Sequence, residues 1–473
     1  MEITLSATGL WKIKNIGEKY HGDLYLNEDN GGIVVYFRIP NNGPPMSYLE
    51  LPLSIPFITG STFNGAKMTL INCIRISTES RVGSEEVFGY QAQYMIDGVS
   101  FDKKEDIKFT KMKISIPRII HWGNCSNYTN PDLKDNETLI ALKILEPIDI
   151  YSCDDYTLSY YLSFNSPFEL MEEEIILKQT PFLIIEATSS QTLEWFMKIA
   201  NNMKRLIEIA IGSPLGYGSM IVETPEIYYE FDDNQSYNRP LQVVHTFKEH
   251  INIKNENKRL LNHDYLFDLS DLRQADFSQW QEVSTLIEPV IELYIDSLYN
   301  KKLSISRHFL NMVQALETYH SRRIANSLKD FKTRVDKLLD IRPESLRAED
   351  KKNLLKGCKT FITLRSRLTD LLLAEFRFFF YTGNIKYLDF PQLIADTRNY
   401  YTHYNPKDEH KALKGGDLLN AFYILQNLLE FYLLKELGFQ EDFIHKKIRN
   451  RIEHVRINND IKNANEEKFR NES

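Results

Sequence analysis

Short runs of alternating apolar and polar residues fill the first part of the chain, up to about residue 190. Runs such as IVVYFRI and IKFTKMKISI are separated by turn residues, among them the cluster NNGPPMS. A period of two residues between such turns is typical of half-buried antiparallel strands. After a helical stretch from Thr192 to Ile211, strand-like runs resume. We therefore predict a β-rich module over residues 1–270, either a sandwich or barrel-like, that contains one helix.

Helical periodicity replaces the strand pattern beyond about residue 275. Apolar residues recur at three- and four-residue spacing in segments such as SRHFLNMVQALETYHSRRIA, and the connectors between these segments are short. This pattern predicts an all-α helical bundle over residues 271–445. Residues 446–473 lose apolar content and are predicted to form a polar carboxy-terminal extension with one surface helix. The expected fold class is α+β multidomain, with the β-rich module preceding the bundle.

Composition narrows the class of protein. A hydrophobic content of 42% with 26% charged residues is that of an ordinary folded chain and excludes wholly disordered or collagen-like proteins. No stretch approaches the ~18 consecutive apolar residues of a membrane-spanning helix, and the first residues do not resemble a signal peptide. We therefore expect a cytoplasmic protein with no membrane partner.

The cysteines give no sign of a disulfide framework or a metal site. They are scattered, with no C-x-x-C pair and no histidine at zinc-like spacing. We interpret them as structural thiols in a reducing compartment, and we predict neither a metal nor a cofactor. The four residues are Cys73, Cys125, Cys153 and Cys358.

Charge is distributed unevenly between the two parts. Residues 291–473 carry 32 Lys and Arg against 25 Asp and Glu, whereas residues 1–290 carry 25 against 40. The first part is therefore strongly acidic and the second part basic. Because attraction to phosphate needs a local basic surface, we expect the second part to bind any nucleic acid and the first part to repel it.

The clearest chemical signal is the hexapeptide Arg398–His403, with the sequence RNYYTH, in a segment of helical periodicity. On a helix Asp396, Asn399 and His403 occupy positions i, i+3 and i+7 and form one polar stripe, while Arg398 lies about 100° from Asn399. Arginine binds phosphate through paired, charge-assisted hydrogen bonds, and histidine changes protonation near neutral pH. This combination favours phosphodiester chemistry.

A second segment with the same spacing, Arg449–His454 (RNRIEH), shows that spacing alone does not identify the site. This segment follows the last expected helix of the bundle and lies in the polar extension. We therefore assign it to a surface helix and take Arg398 and His403 as the functional pair.

The surroundings of the first motif carry a family resemblance. The segment IADTRNYYTHYNP is followed by an apolar helix and preceded by VQALETYHSRR, and in this context it resembles the Apea-like branch of the HEPN nucleases. In that branch a polar residue usually follows the Arg of the R-x-x-x-x-H motif. The β-rich module likewise resembles the amino-terminal domain that accompanies the branch in anti-phage defence proteins. The resemblance implies a metal-independent ribonuclease in which Arg398, Asn399 and His403 occupy the motif positions.

Further residues are candidates for supporting roles. In the resembling proteins an acidic residue on an early helix often faces the motif, which implies such a role for Glu317, and we add Asp396 from the motif helix. The residues themselves also allow an exposed, solvated face around Glu317. A basic cluster downstream is a candidate RNA path, although charged helix faces are commonly just solvated. It contains Arg322, Arg323, Lys329, Lys332, Arg334 and Lys337.

A homodimer through the helical domain is expected. One chain supplies a single acid/base group, whereas transesterification gains from both a base and an acid. A two-fold axis beside the motif would supply two copies of His403, and the resemblance implies the same arrangement. We expect Tyr400, Tyr401 and Tyr404 to contribute to the contact.

The leading hypothesis is an RNA endonuclease of the HEPN class that acts as a toxic effector in anti-phage defence by abortive infection. RNA is the expected partner, with tRNA one candidate, and the resemblance alone suggests a phage-derived trigger at the amino-terminal domain. The alternative is a non-catalytic HEPN-like scaffold for dimerisation or nucleic-acid binding.

Overall fold

The chain folds into two compact units. The computed structural model describes residues 5–13, 19–27, 32–40, 51–80, 85–129, 132–134, 137–165, 174–230, 236–245, 265–273, 275, 277–324, 362–380 and 385–454. Unit 1 comprises Met1–Lys204 and Leu215–Lys258, and unit 2 comprises Arg205–Pro214 and Arg259–Ser473. The division falls within the helix Leu193–Ile211.

Six strands at the start of unit 1 close into a barrel. They pair in the order β6-β3-β2-β1-β4-β5, and β5 pairs back to β6. All of these pairings are antiparallel. The strands are β1 (Leu5–Ile13), β2 (Lys19–Asn27), β3 (Gly32–Pro40), β4 (Ser54–Thr62), β5 (Lys67–Ser80) and β6 (Glu85–Asp97). The structure thus confirms a β-rich amino-terminal region and selects the barrel-like form of the prediction.

Alternate residues of these strands fill the barrel, as a two-residue period requires. Trp11 is fully buried, and its indole N–H donates to the carbonyl of Gly22 at 3.1 Å. A Cβ atom at Gly60 would lie 2.4 Å from the Trp11 ring, so this strand position accepts only glycine. Other fully buried side chains of the barrel core are Leu24, Val35, Phe37, Ile58, Leu70 and Tyr90.

The sheet continues from β6 beyond the barrel. The further order is β16-β13-β7-β12-β11-β10, and two separate hairpins pair β8 with β9 and β14 with β15. The strands are β7 (Phe109–Ser115), β8 (Asp132–Lys134), β9 (Glu137–Leu139), β10 (Ile148–Ser152), β11 (Tyr156–Phe164), β12 (Gln179–Gln191), β13 (Met220–Glu223), β14 (Tyr228–Glu230), β15 (Ser236–Asn238) and β16 (Leu241–His245). Short helical segments are Lys104–Asp106 and Ile120–Gly123.

Unit 2 is helical. Its α-helices after residue 265 are Leu269–Leu272, Phe277–Leu286, Glu288–Tyr299, Ile305–Tyr319, Leu364–Leu371, Phe390–His403, Gly415–Glu436 and residues 441–454. A π-helical turn, His320–Ile324, extends Ile305–Tyr319, and 3₁₀ segments span Ala374–Phe380 and Pro406–Lys411. None of the helices described in either unit is long and apolar enough to cross a membrane.

The helix Gly415–Glu436, here called the central helix, forms the core of unit 2. Leucine and phenylalanine residues on several of its faces are completely buried, as expected of a helix that is apolar all round. Two buried glutamates interrupt this apolar surface. Glu430 accepts hydrogen bonds from Tyr294 and Gln426 at 2.7 and 3.0 Å and pairs with Arg451. Both oxygens of its carboxylate therefore have partners, which buried charge requires.

Residues 441–454, here called the terminal helix, pack into unit 2. Ile444 and Ile448 are fully buried, and Arg451 donates to Asn427 at 2.7 Å as well as binding Glu430. The boundary predicted at residue 446 falls inside this helix. The second R-x-x-x-x-H segment therefore lies on a surface helix, as expected, and the inner face of that helix is anchored to the bundle.

Candidate functional site

The Arg398–His403 motif occupies the last turns of the helix Phe390–His403, here called the motif helix. Pro391 lies in its first turn, where a missing N–H costs nothing. Tyr404 ends the helix in the left-handed region at φ 49°, and the Asn405 side chain then accepts from the backbone N–H of Lys407 to start the next helical segment. The motif thus lies directly before a sharp change of chain direction.

One face of the motif helix is fixed by burial and by two hydrogen bonds to Leu413. Thr397 is fully buried, and its hydroxyl donates to the Leu393 carbonyl at 2.7 Å and accepts from the Leu413 N–H at 3.1 Å. The Tyr401 hydroxyl donates to the Leu413 carbonyl at 3.1 Å, and its ring lies 6.4 Å from that of Phe309. These contacts set the rotation of the helix about its axis, and they leave Arg398, Asn399 and His403 on accessible positions.

Arg398 lies between Asn399 and an upstream carboxylate. Its Nη1 donates to Asn399 Oδ1 at 3.4 Å, and its Nη2 lies 3.9 Å from Glu317 Oε2, an ion-pair distance. His403 is exposed, one turn beyond Asn399, and makes no hydrogen bond or ion pair with any residue that the structure describes. Asp396 accepts from Gln392 at 2.9 Å. Of the residues singled out in the sequence, the fold therefore brings Glu317, Arg398 and Asn399 together.

A chain of polar groups, in which His320 is the fully buried member, continues behind Glu317. Glu317 Oε1 lies 4.0 Å from Arg367 Nε, and Arg367 Nη1 lies 3.3 Å from His320 Nδ1. A guanidinium can only donate, so Nδ1 of the imidazole accepts. The proton of a neutral His320 ring is then on Nε2, which donates to Asp370 Oδ2 at 2.8 Å. His320 is completely buried, so its ring orientation is fixed by these partners.

Two of these network residues, Arg367 and Asp370, were missed in the sequence. Arg367 and Asp370 are separated by three residues on the helix Leu364–Leu371, and Glu317 and His320 show the same spacing on theirs. The matching i, i+3 pairs are the only local signal. Without the tertiary fold nothing indicates that the two pairs meet.

Two clefts share Glu317 and Arg398. The first cleft, of about 750 Å³, runs along the helix Ile305–Tyr319 to the end of the motif helix. Its charged lining groups are four arginines, Arg307, Arg322, Arg367 and Arg398, and one carboxylate, Glu317. The second cleft, of about 930 Å³, has two arginines against three carboxylates. The first cleft therefore carries a positive formal charge, whereas the second does not.

The candidate RNA-binding arginines differ in their surroundings. Arg322 lines the first cleft, and one of its N–H groups donates to the Leu286 carbonyl at 2.5 Å. Arg323 instead binds both oxygens of the buried Glu436, each at 2.8 Å, and Tyr319 donates to the same carboxylate at 2.7 Å. The guanidinium of Arg323 is therefore occupied by its ion pair with Glu436 in the core of unit 2. Lys329, Lys332, Arg334 and Lys337 lie outside the described residues.

The arginines of the second motif segment contribute to packing. Arg449 stacks over the ring of Phe378 at 5.0 Å, and Arg451 is held by Glu430. These contacts fasten the terminal helix to its neighbours. The arginines of this segment therefore have a structural explanation.

The described cysteines are free thiols. Cys73 is buried, and burial raises the pKa of its thiol, while Cys125 and Cys153 are half-buried and Cys358 lies outside the described residues. Within the described ranges, no group of three or more His, Cys, Asp or Glu side chains is arranged to hold a metal ion.

Comparison with known proteins accounts for both units. The family model for ApeA N-terminal domain 1 matches residues 6–280, more than half of the chain, and the model for the Apea-like HEPN domain matches residues 310–443. No curated protein and no solved structure matches the chain. The HEPN match includes Glu317, Arg367 and the whole motif helix. The chain therefore belongs to the ApeA family, with an ApeA N-terminal domain 1 followed by an Apea-like HEPN domain.

Proposed function

We propose that the protein is a metal-independent HEPN RNA endonuclease that acts as a toxic effector in anti-phage defence by abortive infection. HEPN domains are generally ribonucleases. The observation that carries the proposal is the geometry at Arg398, whose guanidinium lies between Asn399 and Glu317 on the helix that exposes His403. An oriented arginine next to an accessible imidazole fits charge stabilisation at a phosphate together with proton transfer.

In the proposed reaction the 2'-OH of the substrate attacks the adjacent phosphorus. His403 takes the proton from the 2'-OH, the O2'–P bond forms, and the P–O5' bond breaks as the 5' oxygen receives a proton. Arg398 stabilises the charge on the phosphoryl oxygens, and Asn399 orients the phosphate or ribose. The products are a 2',3'-cyclic phosphate and a 5'-OH, and later hydrolysis of the cyclic ester gives a 3'-phosphate.

The active unit in this proposal is a homodimer through the helical domain. HEPN domains commonly dimerise. Each chain supplies one His403, and the reaction uses both a base at the 2'-OH and an acid at the 5' oxygen. Two copies related by a two-fold axis would supply both groups. Tyr401 is held by Leu413 and Phe309 within its own chain, so the proposal rests on the Arg398 and His403 pairs rather than on the tyrosines.

The amino-terminal module is proposed to regulate the nuclease and to receive a phage-derived trigger. Residues 1–290 have a formal charge of −15, from 25 basic and 40 acidic residues, which disfavours binding to RNA. A domain limit at residue 270 and a cytoplasmic location belong to the same proposal, and the terminal helix is counted with the helical domain in place of a limit at residue 445.

Incubation of the full chain with total RNA in EDTA tests the nuclease proposal. We expect cleavage by the wild-type protein and none by His403→Ala, because the imidazole is the acid/base group. The matched control is the double substitution Arg449→Ala/His454→Ala in the second segment, which should still cleave. Intact RNA under every condition would contradict the proposal and favour a non-catalytic dimerisation or nucleic-acid-binding scaffold.

A further inference from the structure

We infer that the first cleft binds an unpaired RNA strand along the helix Ile305–Tyr319, with Arg307 and Arg322 binding phosphates on either side of Arg398 and Tyr404 stacking on a base. This inference rests on the proposed nuclease function and adds to it the form of the RNA and the residues that bind it.

Three arginines follow one another along the cleft. Arg307 precedes Glu317, the partner of Arg398, by ten residues, which is about 15 Å along a helix. Arg322 follows Glu317 by five residues, in the π-helical turn. Stacked nucleotides of one strand advance about 3.4 Å each, so this track spans several nucleotides. Arg398 lies between the two outer arginines, as a residue at the scissile phosphate should.

The outer arginines have donors to spare. Among the described residues, the Arg307 guanidinium has no hydrogen-bond or ion-pair partner, and the residue is exposed. Arg322 uses one N–H for the Leu286 carbonyl, which leaves most of its five donors for a ligand. Arg367 is the exception, because Glu317 and His320 occupy it.

Charge favours the first cleft over the second. A strand in the first cleft meets four arginines and one carboxylate, whereas a strand in the second meets two arginines and three carboxylates, Glu317, Asp370 and Asp396. Both clefts reach Arg398, so the difference lies in what surrounds it. A polyanion is attracted to the first and repelled by the additional carboxylates of the second.

Tyr404 indicates that the strand is unpaired. Its side chain is 62% exposed, and it borders the first cleft directly after His403. The rings of Tyr400 and Tyr401 lie 5.7 and 6.1 Å away in edge-on arrangements and limit its movement. An accessible and oriented aromatic ring next to a phosphate-binding groove suits base stacking, which needs a base free of its own duplex. We therefore assign Tyr404 to the cleft rather than to a dimer contact.

Equilibrium binding tests the inference without relying on cleavage. The full chain carrying His403→Ala is titrated with a labelled single-stranded oligoribonucleotide and with the same sequence as a duplex, over a range of salt concentrations. Arg307→Gln and Arg322→Gln should each weaken single-strand binding and lower the slope of log K against log salt by about 0.7. Tyr404→Ala should weaken it about tenfold, whereas Tyr404→Phe should retain it. Arg365→Gln, which lies only in the second cleft, is the matched control and should change neither quantity.

Several results would overturn the inference. Equal binding of single strand and duplex, or no effect of Tyr404→Ala, excludes the unpaired strand. A larger loss from Arg365→Gln than from Arg307→Gln moves the strand to the second cleft. If the protein cleaves RNA and neither Arg307→Gln nor Arg322→Gln changes that cleavage, this RNA path is refuted while the nuclease proposal stands. Absence of both binding and wild-type cleavage refutes the nuclease proposal and this inference with it.

Discussion

At the scale of single residues, the orientation of Arg398 depends on a carboxylate that belongs to another helix. Glu317 lies within ion-pair distance of both Arg398 and Arg367, so it separates two guanidiniums that would otherwise repel each other. The buried His320, whose ring is held by Asp370, fixes Arg367 from behind. Glu317 is therefore a positioning residue in the proposed reaction, because it acts on the substrate only through Arg398.

Glu317→Gln tests this positioning role. Loss of the negative charge lets the two guanidiniums separate, and a displacement of about 1 Å at a reacting group can cost about 100-fold in rate. We expect kcat to fall about 10- to 100-fold with a smaller change in KM, because the rest of the cleft is intact. Steady-state kinetics on a defined RNA measures both, and Glu282→Gln, an exposed glutamate that lines neither cleft, is the matched control. An unchanged kcat for Glu317→Gln would contradict the role.

Arg322 and Arg323 are neighbours in sequence, but their substitutions are predicted to change stability by very different amounts. Arg323→Ala leaves the buried carboxylate of Glu436 with Tyr319 as its one partner among the described residues, so we expect a loss of about 1–3 kcal/mol in the free energy of unfolding. Arg322→Ala should stay within about 0.5 kcal/mol. Chemical denaturation of the two variants side by side measures the difference. Equal stabilities would mean that the Arg323–Glu436 pair contributes nothing.

How much of the site is visible in the sequence depends on the distance along the chain. Arg398, Asn399 and His403 lie within one and a half turns of a helix, so periodicity alone places them near one another. Arg367 lies fifty residues from Glu317, and its partner His320 resembles any histidine on an amphipathic helix. Only the packing of the two helices gives Arg367 and Asp370 their roles. Even for residues close together in sequence, periodicity does not give the surroundings of each side chain. It does not show that Tyr401 faces Phe309 while Tyr404 faces the cleft.

At the scale of elements, the terminal helix is fastened by a buried ion pair. The side chain of Glu430 is fully buried and that of Arg451 is 14% exposed. Removing one partner of such a pair leaves an uncompensated charge, which costs about 3–5 kcal/mol. The anchoring of this helix is therefore expected to depend on Arg451 far more than on Arg449, an exposed residue whose guanidinium lies over the ring of Phe378.

A set of three variants tests this anchoring. Arg451→Ala should lower the free energy of unfolding by about 3–5 kcal/mol, and Arg449→Ala by less than about 1 kcal/mol. The double variant Glu430→Gln/Arg451→Met should recover much of the loss, because glutamine still accepts from Tyr294 and no unpaired charge remains. Urea titration followed by circular dichroism gives the three values. A double variant as unstable as Arg451→Ala would show that the packing of Arg451, and not charge pairing, is what matters.

The elements themselves were predictable to different degrees. Alternation in the first part indicates strands, but barrel closure depends on the pairing of β5 with both β4 and β6, which no local pattern encodes. The choice between sandwich and barrel therefore stayed open in the sequence. The polar composition of the terminal helix indicates a surface position, and most of its residues are exposed or half-buried. Its attachment to the bundle is not visible in the sequence, because the two buried isoleucines, Ile444 and Ile448, are too few to stand out.

At the scale of the whole molecule, the proposed dimer predicts how an inactive chain affects an active one. Wild-type protein is mixed with an equal amount of His403→Ala under conditions that allow subunit exchange. If both copies of His403 are needed in one site, random pairing leaves about one quarter of the dimers fully active. Activity measured on RNA should then fall to about 25% of that of an all-wild-type sample at the same total concentration. Independent sites would leave about 50% of the activity. A protein that is monomeric by light scattering and still cleaves RNA at full rate would exclude the dimer.

Charge asymmetry also belongs to the whole molecule. The excess of basic residues in 291–473 is found in the part of the chain that contains the arginine-lined cleft. The excess of acidic residues in 1–290 is found in the part that contains the barrel. RNA is thus expected to bind the HEPN domain alone. Tight, salt-sensitive RNA binding that survives charge removal in the first cleft would contradict this division of roles.

The most direct test of the central claim is whether one phosphodiester bond is still cleaved after the neighbouring 2'-OH has been removed. A cleavage site of the wild-type protein is mapped on an oligoribonucleotide in EDTA, and the nucleotide on the 5' side of that bond is then replaced by its 2'-deoxy form. If His403 and Arg398 catalyse attack by the 2'-OH, cleavage at that bond is lost while other sites are unaffected, and the unmodified RNA yields 2',3'-cyclic phosphate or 3'-phosphate ends. Cleavage at the deoxy position, or products with 3'-OH and 5'-phosphate ends, would contradict the mechanism.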